Sequence, residues 1–321
     1  MLTIKKSSEN FTANIKTLIY GGPGKGKTSL AATAHKPLLF NFGNSGTHRA
    51  VGNNHTVWID EWWQTADIFT PDFSKQLENY ETLVLDDMGT MQGLIIQSIL
   101  AQGGFYVQNN VLTQAGYGQL KEAFVNFMTR LHSLNKDIVL IAHDVQTEVG
   151  DRSNKVLLRK PDIAGSAYKY LMRDFDLIGY LEASKEGRTV QFAPSHLLET
   201  KTFLSQFPTL SVPHFEQQDY ATTLAKLIQA ARKQINAKSE AVKLLEDYQT
   251  LITAFNHLAD FEGFGEELKT DIRVTAKLQP IIRGYFRARM NKLGIEYDKE
   301  TKEFRFKEGD EEEQVKVKKA S

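Results

Sequence analysis

The chain has 321 residues, 41% hydrophobic and 24% charged, a usage that excludes collagen-like, mucin-like and largely disordered polymers and leaves room for a sizeable core. Lysine plus arginine and aspartate plus glutamate both number 39, so no global field draws the chain to nucleic acid or an anionic membrane, and any basic surface must be local. The absence of cysteine excludes disulfides, thiolate zinc sites, iron–sulfur clusters and a cysteine nucleophile.

In chain order, the opening MLTIKKSSENFTANIK lacks the apolar run of a signal peptide, and nowhere do about 18 apolar residues follow one another. The expectation is a soluble, cytoplasmic protein with no membrane contact. Apolar, β-rich runs at 16–20, 37–42, 56–59, 82–85 and 137–142 alternate with helical patterns, which predicts a mainly parallel sheet covered by helices. The clearest helix is 119–134, where Leu120, Ala123, Phe124, Phe127, Met128, Leu131 and Leu134 recur at three- and four-residue steps. Short strands are expected at 177–181, 189–192 and 196–199, before the loop SQFPTLSVPHFEQQD closes the unit. A helix at 221–235 leads out, and Ser239 is read as the cap of a second helix carrying Leu245, Tyr248, Ile252 and Phe255. Pro280 makes 266–293 either two helices or one kinked helix, and GIEYDKETKEFRF reads as a hairpin. The expected domains are an α/β core at 1–235, a smaller helical C-terminal region at 236–307, and a disordered charged tail at 308–321.

Gly21, Gly26, Lys27 and Thr28 satisfy G-x-x-x-x-G-K-[ST] between an apolar strand and the helix opening SLAATA, the context a phosphate-binding loop requires. Gly21, Gly22, Pro23, Gly24, Lys25, Gly26, Lys27, Thr28 and Ser29 are therefore the nucleotide-binding candidates. Glycines let backbone N–H groups turn inward around phosphates, Lys27 neutralises the β and γ oxygens, and the Thr28 hydroxyl holds Mg²⁺. ETLVLDD supplies an apolar strand ending in Asp86, the candidate Mg²⁺-organising carboxylate, with Asp87 directly after it. GTP is disfavoured: DDMG matches D-x-x-G, but NKD at 135–137 precedes its strand instead of ending it and has Ile138 in the last position of N-K-x-D. The expected ligands are ATP and Mg²⁺.

The stretches LIYGGPGKGKTSLAATAHKPLLF, YETLVLDDMGTM, TQAGYGQLKEAFVNFMTRLHSLNKDIVLIAHD and LLRKPDIAGSAYKYLMRDFDLIGYLE together resemble the phage RecA-like P-loop nucleotide-binding proteins, a group that includes ATP-dependent single-strand annealing and recombination proteins. The resemblance spans about residues 14 to 215. It implies a RecA-like core that binds ATP between neighbouring subunits of a ring or filament, acts on single-stranded DNA in recombination or replication, and works in the host cell cytoplasm beside a phage replication or recombination protein. It also implies that His143, at the end of IVLIAHD, senses the γ-phosphate.

Two departures from that group point to slow hydrolysis. Asn41 and Gly43 stand where the group has a carboxylate that positions the attacking water, and an amide cannot accept a proton. Asp87 is the nearest substitute, provided the chain turns at once. The group's late strand carries Lys-x-Arg directed at a neighbour's γ-phosphate, whereas Lys201 here is followed by Phe203 in the arginine position.

After the 137–142 strand come Arg152, Lys155, Arg159, Lys160, Lys169 and Arg173 against Asp151 and Asp162, with Tyr168 and Tyr170 interleaved. Lysines and arginines there suit phosphates and tyrosines suit bases, so Arg152, Lys155, Arg159, Lys160, Tyr168 and Lys169 are the candidate nucleic-acid contacts, on a segment that the resemblance makes a mobile DNA-gripping loop. The stretch AQGGFYVQNNVLTQAGYG is its candidate companion. A further basic set, Lys269, Arg273, Lys277, Arg283, Arg287, Arg289 and Lys292, reads first as the outer face of a helix pair. The reading is an ATPase acting on single-stranded DNA; its rivals are a nucleotide-gated adaptor or loader with little hydrolysis, and a small-molecule kinase, for which no arginine-rich lid is evident.

Overall fold

The structure is a computed structural model that describes residues 14–43, 54–150, 155–204, 208–298 and 300–307. Its described residues up to 234 form one compact unit and those from 235 on belong to a second. The first unit opens with β1 (Lys16–Tyr20), α1 (Lys27–Ala31), β2 (Pro37–Phe42) and β3 (His55–Ile59). A 3-10 segment, Trp62–Phe69, precedes α2 (Pro71–Leu77), β4 (Thr82–Asp86) and α3 (Met88–Gln102). Then come β5 (Val107–Gln108), β6 (Val111–Leu112), α4 (Gln114–His132), β7 (Asp137–Ala142), β8 (Asp144–Val149) and β9 (Val156–Pro161). The unit ends with α5 (Gly165–Asp174), β10 (Leu177–Ser184), β11 (Gly187–Gln191), β12 (Thr209–Val212) and the start of α6 (Thr223–Ala254).

Eight strands make one sheet in the order β12-β11-β10-β1-β7-β4-β2-β3. The six from β10 to β3 are parallel, and β11 and β12 add antiparallel strands at one margin. Every residue of β4 and β7 is buried, as strands covered by helices on both faces must be, which is why they read as unbroken apolar runs. Helices α3, α4 and α5 pack on the sheet through Ile95, Phe124, Met128 and Leu171. This is the expected α/β arrangement of a mainly parallel sheet between helices, and it brings the carboxyl ends of β1, β4, β7 and β2 to one rim, where loops can meet a ligand.

Several elements differ from expectation. Helix α4 begins at Gln114, because Thr113 caps it by accepting the Gly116 N–H at 3.2 Å. The segment 196–199 is no strand; it makes only a lone bridge from Leu198 to Arg159. The expected loop at 205–219 instead carries β12, whose four residues lie between Pro208 and Pro213, the punctuation that disguised it. Ser239 starts no helix: α6 runs through it, since 236–238 hold neither glycine nor proline to stop the chain.

The second unit, described by itself, holds the later part of α6, α7 (Leu258–Phe261), α8 (Phe264–Thr270), α9 (Gln279–Lys292) and a hairpin of β13 (Ile295–Tyr297) with β14 (Phe304–Phe306). Pro280 sits in the first turn of α9, where its missing N–H costs nothing, so the region is two helices. Phe255, Phe261, Phe264, Phe286 and Phe304 pack as its aromatic core, with Phe264 stacked on Phe286 at 4.7 Å. The expected tail at 308–321 lies outside the described residues.

Asp137 ties the base of the first unit together. Its buried carboxylate accepts the Ile15 N–H at 2.8 Å and the Arg232 guanidinium of α6 at 2.6 and 2.7 Å. Removing the arginine strands a buried carboxylate, so Arg232→Ala is expected to lower the unfolding free energy by about 3 kcal/mol, the low end of the usual range because the guanidinium is about a third exposed. Urea titration reads this, and a second change, Asp137→Asn, should recover part of the loss.

Candidate nucleotide site

The phosphate loop joins β1 to α1 at the rim of the sheet. Gly21 is pinned there by its N–H to the Ala142 carbonyl at 3.3 Å, and a Cβ at this position would fall 2.5 Å from the Leu181 carbonyl oxygen. Gly26 has a φ of 92°, and its Cβ would fall 2.7 Å from the Arg188 Nη1. Glycine is therefore required at Gly21 by close approach of backbone and favoured at Gly26 by its left-handed φ, while Pro23 and Gly24 form the loop's exposed apex. The Lys25 ammonium turns outward to the Ala183 carbonyl at 3.1 Å.

Lys27 turns inward. Its Nζ donates to the Gly21 and Gly22 carbonyls at 2.8 and 2.9 Å and lies 3.4 Å from the His143 Nδ1, with the residue only 6% exposed. Burial pulls its pKa below the ordinary lysine value, and Asp86, Asp87 and Asp144 partly restore it. A buried ammonium bonded to two loop carbonyls is a cation that a phosphate can take over. Thr28 Oγ1 donates to Asp86 Oδ2 at 2.9 Å, so the hydroxyl and carboxylate expected to share a metal ion are already in contact. Among the described residues no group of three or more His, Cys, Asp or Glu side chains could hold a metal. A Mg²⁺ ion would thus need phosphate oxygens and water beside Thr28 and Asp86, which is its usual manner of binding.

Asp87 stands between the end of β4 and the start of α3. It is buried, caps α3 by accepting the Thr90 N–H at 2.9 Å, and its Oδ2 lies 3.8 Å from the His143 Nε2. His143 is thereby placed between Lys27 and Asp87, with its ring 46% exposed. Asn41 is fully buried on β2 in register with Asp86. Gly43 has a φ of 57°, and a Cβ there would fall 2.7 Å from Thr90 Cγ2, so no carboxylate fits at 43 without moving the cap of α3. The geometry leaves Asp87 as the acid beside Asp86.

Lys201 is not at this loop. Its backbone pairs with Ile178 near the start of β10, and its ammonium caps the end of α5 by donating to the Met172 and Arg173 carbonyls at 3.2 and 3.1 Å.

The segment expected as a mobile loop is, in its described part, the β8–β9 hairpin followed by α5. Counting charges from 151 onward overlooked the acids on β8. Lys155 pairs with Glu148, and the Arg159 guanidinium donates to Asp144 at 2.8 Å. Lys160 lies 5.4 Å over the half-buried Tyr168 ring, Lys169 is exposed on α5, and Arg152 lies outside the described residues. The companion stretch folds into the end of α3, the β5–β6 hairpin and the start of α4, leaving Phe105 82% exposed.

Sequence reasoning missed Asp144, Thr90 and Arg188. The first directly follows His143 and the second stands three residues after Asp87 in a capping pattern, so both had local signals. Arg188 had none: the turn between β10 and β11 carries it to the loop.

A family model described as an AAA domain matches residues 13–203. No curated protein matches the chain. Among solved structures, a KaiC-like protein from the hyperthermophilic archaeon Pyrococcus horikoshii OT3 aligns with 14% identity over 56% of this chain and 77% of its own, at a TM-score of 0.31.

Proposed function

The chain belongs to the AAA domain family of P-loop NTPases, and from that premise we propose that it binds ATP with Mg²⁺ at the loop 21–29 and hydrolyses it slowly, using the nucleotide state to govern its hold on single-stranded DNA. One observation carries the nucleotide reading: the inward, buried Lys27 beside the Thr28–Asp86 contact. Lys27 would leave the Gly21 and Gly22 carbonyls for β- and γ-phosphate oxygens, and the loop amides would receive the remaining oxygens. Mg²⁺, held by Thr28 and through Asp86, would offset the charge between the β- and γ-phosphates. In hydrolysis a water oxygen bonds to the γ-phosphorus, the bond to the β–γ bridging oxygen breaks, and the water's proton passes to Asp87. His143 would report the γ-phosphate to the β8–β9 hairpin that starts at the next residue. With Asn41 and Gly43 in place of an acid, Asp87 is the base, and its carboxylate is shared with the Thr90 N–H.

The DNA part follows the narrower resemblance to phage RecA-like proteins. It is supported by exposed Lys169 on α5, Lys160 on β9, and the exposed rings of Phe105 and Tyr117. Replacing Lys160 and Lys169 by alanine is expected to weaken binding of a fluorescent oligonucleotide and to flatten the plot of log affinity against log salt by about 1.4. An unchanged slope would remove these lysines from the DNA surface. Turnover measured with and without single-stranded DNA tests the whole reading: stimulation supports it, whereas tight ATP binding without turnover favours a nucleotide-gated adaptor.

A further inference from the structure

We infer that Arg188 is a nucleotide ligand supplied by the same chain, bonding the α-phosphate on the outer side of the loop. This deepens the nucleotide reading and rests on it. The β10–β11 turn returns the chain so that Arg188 pairs with Ala183 at the carboxyl end of β10, next to the exit of β1. Its Nη1 lies 2.7 Å from where a Cβ of Gly26 would be, so the guanidinium rests directly on the residue before Lys27.

The guanidinium is held from behind. Its Nη2 donates to the Pro213 carbonyl at 3.1 Å, and its Cζ lies 5.6 Å from the Tyr220 ring centroid. Some arginines elsewhere in the chain pair with carboxylates, as Arg159 does with Asp144, Arg232 with Asp137 and Arg273 with Asp271. Among the described residues no carboxylate pairs with Arg188. A fixed fork of N–H donors beside a phosphate loop, with its charge unneutralised, suits a phosphate oxygen.

Tyr220 adds a buried polar group to the same flank. The residue is 5% exposed, and its hydroxyl, without a well-formed hydrogen bond, has Arg188 and Ser29 as polar neighbours. Burial pushes its pKa up, and the polar side chains that pull it back are Arg188 and Ser29, the latter immediately after the metal-binding candidate Thr28. Three polar groups from β11, the segment before α6 and α1 thus gather at the same flank of the loop. Lys27 and Thr28 serve the β and γ end, which leaves the α-phosphate for this flank.

The test is calorimetric titration with ADP and with a non-hydrolysable ATP analogue. An α-phosphate contact is common to both, so Arg188→Ala should raise both dissociation constants by the same factor, about ten- to a hundredfold. Arg188→Lys should recover part of that, and Tyr220→Phe, which keeps the ring under the guanidinium, should show a smaller loss for both ligands. Unchanged affinities for both, or a loss confined to the ATP analogue, would overturn the inference. If Arg188→Ala fails to fold, Arg188→Gln takes its place, judged by the same two ligands. Loss of both nucleotides in Lys27→Ala but not in the Arg188 variants would sink this inference and leave the nucleotide reading standing; no uptake by the native chain would sink both.

Discussion

Asp87→Asn is expected to lower ATP turnover by about 10²- to 10⁴-fold while leaving ATP affinity within about twofold. The substitution separates the two tasks of this side chain. Asparagine caps a helix about as well as aspartate, so the bond to the Thr90 N–H and the start of α3 survive. What it cannot do is take a proton from water. Asp87→Ala should slow turnover equally and also destabilise the fold by about 1 kcal/mol through the lost cap. Single-turnover phosphate release, set beside calorimetric affinity and thermal unfolding, resolves these effects. Turnover unchanged in Asp87→Asn would remove Asp87 as the base and shift attention to His143, 3.8 Å away.

Lys27→Ala is expected to weaken ATP binding by about a hundredfold, through loss of charge-assisted bonds to the phosphates. Without nucleotide the same variant should unfold at close to the native temperature, because its ammonium is costly to bury and the bonds it gives up are to loop carbonyls. The pH dependence has a definite sign. Folding holds Lys27 below its ordinary value of 10.5, so the charged form costs stability at lower pH, and that cost fades as pH rises through the folded value toward 10.5. ATP binding needs the charged form, so affinity should decline across the same alkaline window in which the ligand-free protein gains this small stability. Affinity that stays flat up to 10.5 would show that the ammonium does not face phosphate.

The strands β1, β2 and β7 coincide with the runs read from the sequence, and β3 and β4 differ by one residue at an end, since parallel strands covered on both faces, as β2, β4 and β7 are, announce themselves as apolar blocks. The phosphate loop was legible because its chemistry is local: glycine, lysine and hydroxyl spacing within eight residues. Helix α3 was not read as an element. Its buried Met88, Met91, Ile95 and Ile99 share one face, but the partly buried Ile96 and Leu100 make a neighbouring face apolar too, so the alternation that marks a surface helix is weak. The pairings Arg159–Asp144 and Lys155–Glu148 depend on hairpin register across 144–161, which charge counting along the chain does not register. Arg188 reaches Gly26 from a distant segment through the order of the strands, and no spacing rule reveals that.

The two prolines that bracket β12 also bear on how copies of this chain could meet. A strand of four residues closed at each end by a residue without an N–H offers almost no template for another strand to zip onto. This margin of the sheet is therefore blunted against fibrous growth, and copies that meet at this margin must do so through side-chain surfaces fitting together, not by the backbone continuing from one molecule into the next.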